Sequence, residues 1–230
     1  MYRNRAAAGR RLVQRLRERV PHVDDGDLVV LGMVPGGMAV ARPVAAALRA
    51  PLDVAVALRL SAPGHDALGI GGIASGGVAR VDRRTIAMLG VTPEYVQETI
   101  RAKRDEVERL EQRCRGSRSP VPLEDRRVII VDDGAQTRFR SRAAVAAARA
   151  ALAREVIFAV PVAASDMLAA LAEEADAVVC EHVPERHCGI DAYYAEWETP
   201  RIEEIGAMLG RIVPPPTRAS TRGLRTPEPR

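Results

Sequence analysis

The run Val128-Ile129-Ile130-Val131 restricts more than any other segment how this chain can fold. Four consecutive β-branched apolar residues offer no polar face, so a strand made of them must be covered on both sides. Such strands belong to parallel sheets with helices above and below. The rest of the chain supplies matching pieces. Apolar strand segments at Leu28–Met33, Asp53–Leu60, Val156–Val162 and Ala177–Cys180 alternate with helical periodicity at Ala6–Val20, Met38–Leu48, Ser141–Leu152 and Ser165–Glu174. This alternation predicts an α/β fold with a central parallel sheet flanked by helices. Thr92-Pro93 starts a further amphipathic helix carrying Val96, Ile100, Val107, Leu110 and Cys114 on one stripe. Within the glycine-rich stretch Ser61–Gly77, Ile70–Ala74 and the following Val78–Val81 read as a short hairpin, and the stretch is suited to a mobile cover. A last helix is expected over Ile202–Leu209.

Aromatic residues make up only 3% of the chain, so this core must be built from Ala, Val, Leu and Ile. The net charge of +4 is a local property: five arginines from Arg211 onward face the single acid Glu228, which leaves residues 1–210 neutral overall. A neutral folded part gives no reason to expect specific nucleic-acid binding. Residues 1–210 are expected to form one domain, and 211–230, with Pro214-Pro215-Pro216, a disordered basic tail. Three cysteines, Cys114, Cys180 and Cys188, make no disulfide framework. No leader-like or membrane-length apolar run is visible, so a cytoplasmic protein with no membrane partner is expected.

In an open parallel sheet, ligands bind beyond the carboxyl ends of the strands. Asp132-Asp133-Gly134 follows the most apolar strand. Two adjacent carboxylates there suit ribose hydroxyls and a hard divalent cation, although the dipeptide alone equally suits an Asp cap on a surface turn. Gly36-Gly37 stands between the first strand and its helix, where paired glycines allow positive φ and close approach to an anion, or simply a tight turn. Arg59 lies near the end of the second predicted strand, where it is either a counter-charge for an anion or a solvated cation. Cys180, His182, His187 and Cys188 are metal-ligand types, but their spacing does not form the two separated pairs of a zinc site. Tyr193, Tyr194 and Trp197 hold three of the seven aromatics and serve either packing or the stacking of a planar base. No Gly-x-Gly-x-x-Gly follows the first strand, which argues against a dinucleotide-binding dehydrogenase.

Together these residues resemble the type I phosphoribosyltransferases, and most of all a bacterial branch of small phosphoribosyltransferase-like domains with a small hood. The likeness covers most of residues 2–209. It includes Tyr2-Arg3-Asn4-Arg5, Gly9-Arg10-Arg11-Leu12, Ala50-Pro51-Leu52-Asp53-Val54, Ala62-Pro63-Gly64-His65, Ile70-Gly71-Gly72-Ile73-Ala74 and Val160-Pro161-Val162-Ala163. The resemblance implies binding of phosphoribosyl pyrophosphate (PRPP) with Mg²⁺, displacement of pyrophosphate by an acceptor, and a tendency of the fold to dimerise. Carried over, Asp132 and Asp133 hold the ribose hydroxyls and the metal. Gly134, Ala135, Gln136, Thr137 and Arg138 surround the 5′-phosphate, Gly36, Gly37 and Arg59 face pyrophosphate, and Tyr193 or Tyr194 stacks on the acceptor.

The sequence also departs from that pattern. A glycine and a threonine usual in the phosphate loop are here Arg138 and Arg140, and Arg59 stands where lysine is usual. The arginine usual before the paired glycines is replaced by Pro35. If position 138 required a left-handed backbone, a side chain there would cost roughly 1–2 kcal/mol. Arg138 and Phe139 are also bulky enough to fill space a phosphate needs. Two expectations follow: a transferase in which Arg138, Arg140 or Arg142 reaches phosphate by its side chain, or an inactive homologue that binds a nucleotide, another anion or a protein.

Overall fold

The computed structural model describes residues 1–135, 138–185 and 189–209. Gln136, Thr137, His187, Cys188 and the predicted tail therefore lie outside the described residues. Five parallel strands form the central sheet: β1 (Leu28–Met33), β2 (Leu52–Ala55), β6 (Arg127–Val131), β7 (Glu155–Val162) and β8 (Ala177–His182). Their spatial order is β2-β1-β6-β7-β8. Among the described residues seven α-helices accompany them: α1 (Arg5–Arg19), α2 (Gly36–Ala47), α3 (Arg83–Leu89), α4 (Pro93–Arg115), α5 (Arg138–Ala150), α6 (Ser165–Ala172) and α7 (Ile202–Leu209).

The β6 run alternates between two cores. Ile129 and Val131 join Leu12, Leu16, Met38 and Val44 of α1 and α2 on one face. Val128 and Ile130 join Ala144, Val145, Met167 and Leu171 of α5 and α6 on the other. All four residues of the run Val128–Val131 are fully buried, as an apolar run without a polar face requires.

The single strand expected over Asp53–Leu60 is two strands. After β2 the chain leaves the main sheet at Val56 and enters a separate antiparallel sheet, β3 (Ala57–Ala62), β4 (His65–Ala74) and β5 (Val78–Val81), which forms the hood. The pairing of Ala74 with Val78 gives the predicted hairpin, and β3 adds to its other side with Leu58 opposite Ile73. Two of the β4 glycines, part of the stretch read from sequence as a mobile cover, make room for α5. A Cβ on Gly69 would stand 2.5 Å from the Phe139 ring, and one on Gly72 would strike the Phe139 backbone. Phe139 therefore docks α5 on the hood.

Helix α3 was not anticipated, although its stop signals are conventional. Asp82 caps the amides of Arg84 and Thr85, and Gly90 ends the helix at φ 62°. Among the described residues no helix is long and apolar enough to cross a membrane.

Candidate functional site

Strand β1 has β2 on one side and β6 on the other, so the direction in which strands are added to the parallel sheet reverses at β1. A crevice opens beyond their carboxyl ends, as expected at such a switch point. It holds a cavity of about 570 Å³ lined by the β1–α2 turn (Val34, Pro35, Gly36), the end of β6 (Asp132 to Ala135) and the start of α5 (Arg140, Ser141). Arg5, Arg59, Ile190, Asp191, Trp197 and Thr199 complete the wall.

The two aspartates occupy different environments. Asp132 is 5% exposed, and its Oδ1 accepts the Asp133 N–H at 2.9 Å. Burial, followed by the charge of Asp133, pushes its carboxyl up to about 8, with Arg140 acting the other way. Asp133 keeps a cationic partner: Arg5 Nε donates to its Oδ2 at 2.8 Å. The Tyr194 hydroxyl donates to the Asp133 carbonyl at 2.6 Å and fixes the turn from behind. Burial, then the Asp133 charge, holds that phenol well above its ordinary range.

Gly36 and Gly37 begin α2 without positive φ. Close approach is their role. A Cβ on Gly37 would sit 2.6 Å from the Val131 carbonyl oxygen and 3.0 Å from Asp132 Cα, so glycine lets α2 press against the end of β6. Gly36 lines the cavity and abuts Asp133 and Arg5.

Arg59 comes from β3 in the hood rather than from the end of a main-sheet strand, and it still reaches the cavity. Its guanidinium donates to the carbonyls of Asp66 and Ala67, at 2.5 and 3.4 Å. Arg140 donates to Ala57 O at 2.9 Å and to Val34 O at 2.8 Å. Neither arginine pairs with a carboxylate among the described residues. Arg138 turns to the hood and pairs with Asp82, while Arg142 pairs with Glu174. Arg138 is the first residue of the right-handed helix α5, not a left-handed turn position of the kind considered from sequence. The Ala135 N–H donates to Val162 O at 3.2 Å, which leaves it unavailable to a ligand.

Tyr193 and Tyr194 pack with Tyr2, Ala8, Val162 and Ile190, and neither lines the cavity. Trp197 does, with its ring 3.5 Å from the Arg5 guanidinium carbon. Trp197 was among the aromatics considered for stacking, whereas Arg5, Ser141 and Asp191 were missed as site residues. Arg5 lies in the N-terminal stretch already singled out by resemblance; the others have no local signal. Among the described residues no three His, Cys, Asp or Glu side chains converge on a metal position. Two carboxylates nevertheless suit a Mg²⁺ that keeps waters and takes its other ligands from phosphate.

No protein-family model matches the chain. Two curated proteins of Mycobacterium tuberculosis, "Putative phosphoribosyl transferase Rv0571c" (strain H37Rv) and "Putative phosphoribosyl transferase MT0597" (strain CDC 1551), are each 34% identical to it over 211 residues. The match takes in 92% of this chain and 47% of each relative, so the chain spans about half their length. These relatives support a phosphoribosyltransferase-like family for the chain. The crystal structure of TT1426 from Thermus thermophilus superposes with a TM-score of 0.77 at 28% identity, covering 91% of this chain and 97% of that one. Central parallel sheet, flanking helices and small antiparallel hood fit a phosphoribosyltransferase-like fold. Where the family pattern has an arginine in the β1–α2 turn, this chain has Pro35, but Arg140 brings a guanidinium to the Val34 carbonyl of that same turn.

Proposed function

We propose that the crevice binds a phosphorylated pentose diphosphate of the PRPP type and transfers its phosphoribosyl group to an acceptor. The bond from ribose C1 to pyrophosphate breaks as the acceptor's nucleophilic atom bonds to C1. One observation carries this reading: the acid pair and two guanidiniums without carboxylate partners, Arg59 and Arg140, line a single cavity. Hydroxyl-binding carboxylates beside cations hydrogen-bonded only to backbone carbonyls match a ligand that is a diol on one side and an anion on the other.

In this reading Asp132 and Asp133 accept the ribose hydroxyls. The 5′-phosphate lies toward Arg140, Ser141 and the start of α5, where helix-terminal amides favour an anion. Pyrophosphate faces the 34–36 turn, Arg59 and Arg140. Asp132 would hold a Mg²⁺ arriving with the diphosphate, since Asp133 stays paired with Arg5, and the ion would supply charge neutralisation to the leaving group. Ile190 and Trp197 offer the apolar wall against which an acceptor packs. Catalysis then consists of positioning and of stabilising the departing anion.

The replacement of the turn arginine by Pro35, together with the carbonyl anchoring of Arg59 and Arg140, favours a second reading, a family member that binds such a ligand without turnover. Titration calorimetry with PRPP and Mg²⁺, paired with pyrophosphate release across a panel of bases, separates the two. Binding with release supports transfer, and binding without release supports the second reading. Absence of heat at millimolar ligand would exclude both. The double variant Asp132→Asn/Asp133→Asn is expected to lose PRPP binding while keeping its far-ultraviolet circular dichroism; unchanged affinity would refute the assigned acid pair.

A further inference from the structure

We infer that Arg5 is the positioning residue of the acid pair, a fixed internal cation that orients Asp133 and balances its charge so that the pair engages the sugar half of a phosphorylated pentose without a divalent ion. The inference rests on the reading of the crevice given above.

Arg5 opens α1, and its side chain is 4% exposed. Every guanidinium nitrogen has a partner. Nε donates to Asp133 Oδ2 at 2.8 Å, Nη1 to Glu198 O at 2.5 Å and Nη2 to Thr199 Oγ1 at 3.1 Å. The plane rests on Trp197, 3.5 Å from the ring centroid. A guanidinium this buried is tolerable only while paired, and Asp133 is the sole carboxylate bonded to it among the described residues. Giving up Asp133 to a metal ion would strand the Arg5 charge in that seat. Arg5 therefore stays when a ligand arrives. Its bond to Asp133 is end-on through Nε alone, which leaves Asp133 Oδ1 outside the pair, on a residue that lines the cavity. A hydroxyl acceptor with its countercharge already in place needs no second cation to hold a sugar.

The same side chain ties the acid pair to the 196–199 segment, which is independently pinned to the N-terminus. Ala195 and Glu196 donate their amides to the carbonyls of Tyr2 and Arg3, and the Glu196 carboxylate accepts from Arg3 and Asn4. Trp197 is the only tryptophan in the chain, so its emission reports what happens at Arg5 and Asp133.

The test uses the full chain with ribose 5-phosphate, which has the sugar and one phosphate but no diphosphate to chelate metal. Calorimetry and Trp197 emission are recorded in chelator and in Mg²⁺. Wild type is expected to bind with affinities that agree within about twofold in the two conditions. Arg5→Gln is expected to lose roughly tenfold or more in chelator and to recover with Mg²⁺, because the ion then supplies the missing charge. Arg5→Lys, which keeps the charge but not the fork, should retain binding in chelator. A merely structural Arg5 would weaken binding equally in both conditions, and that result would overturn the inference. So would a Mg²⁺ requirement in wild type, which needs no variant to fold and leaves the crevice reading intact. Failure of ribose 5-phosphate to bind wild type in either condition would overturn the parent reading and this inference with it.

Discussion

Replacing Asp132 with asparagine is expected to make the protein more stable at neutral pH while removing part of its ligand site. The Asp132 carboxyl is 5% exposed and is pushed up to about 8, first by burial and then by Asp133. The same carboxyl in an unfolded chain ionises near ~3.9. Below both values it is protonated in either state and contributes no difference. Above about pH 4 the unfolded chain releases a proton that the folded chain retains, so stability falls as pH rises toward about 8. At pH 7 the full linkage is about 4 kcal/mol, and relaxation of the crevice reduces the expected effect to about 1–3 kcal/mol. Asparagine keeps the Oδ1 acceptor for the Asp133 N–H, now 2.9 Å away, and cannot ionise. Urea unfolding of both proteins at several pH values between about 4.5 and 8 should show the variant's advantage growing from near zero to that size. A variant less stable than wild type at the upper end, or a difference flat across the range, would refute the assigned burial cost.

Three further perturbations test other parts of the structure. Gly37→Ala should cost about 1–3 kcal/mol and weaken ligand binding, since the new methyl meets the Val131 carbonyl oxygen and Asp132 Cα at 2.6 and 3.0 Å; urea unfolding and calorimetry read both effects. Arg140→Gln should lower PRPP affinity by about tenfold or more while removing two carbonyl contacts, worth about 1 kcal/mol each in unfolding experiments; unchanged affinity would take Arg140 out of the site. Arg115→Met should destabilise by about 3–5 kcal/mol, because Asp53, 5% exposed at the side chain, loses its buried partner at 2.8 Å; the folded fraction should bind ligand as wild type does.

Some of the hood was written in local chemistry and still escaped the sequence reading. The Asp82 cap and the Gly90 stop bracket α3, yet its seven residues bury nothing fully and carry too little periodicity to stand out. The break after β2 has no local sign. Val56 and its neighbours are apolar in either arrangement, and only the two competing sheets decide where one strand ends and the next begins. The glycines of β4 were visible as a cluster, but the purpose of Gly69 and Gly72 depends on Phe139, about 70 positions away in sequence, lying across them.

The sequence by itself determined the architecture and the acid pair. An apolar run such as Val128–Val131 is stable only when buried on both faces, and a ligand-facing turn must follow where that burial ends. The tertiary structure alone decided which charges meet. Arg138, Arg140 and Arg142 look equivalent in a row, but the helix points them to Asp82, to the 34–36 turn and to Glu174. Arg5, at the far end of the chain, becomes the partner of Asp133. Helical periodicity fixes a side chain's direction relative to its own helix, whereas its partner is set by the packing of elements distant in sequence.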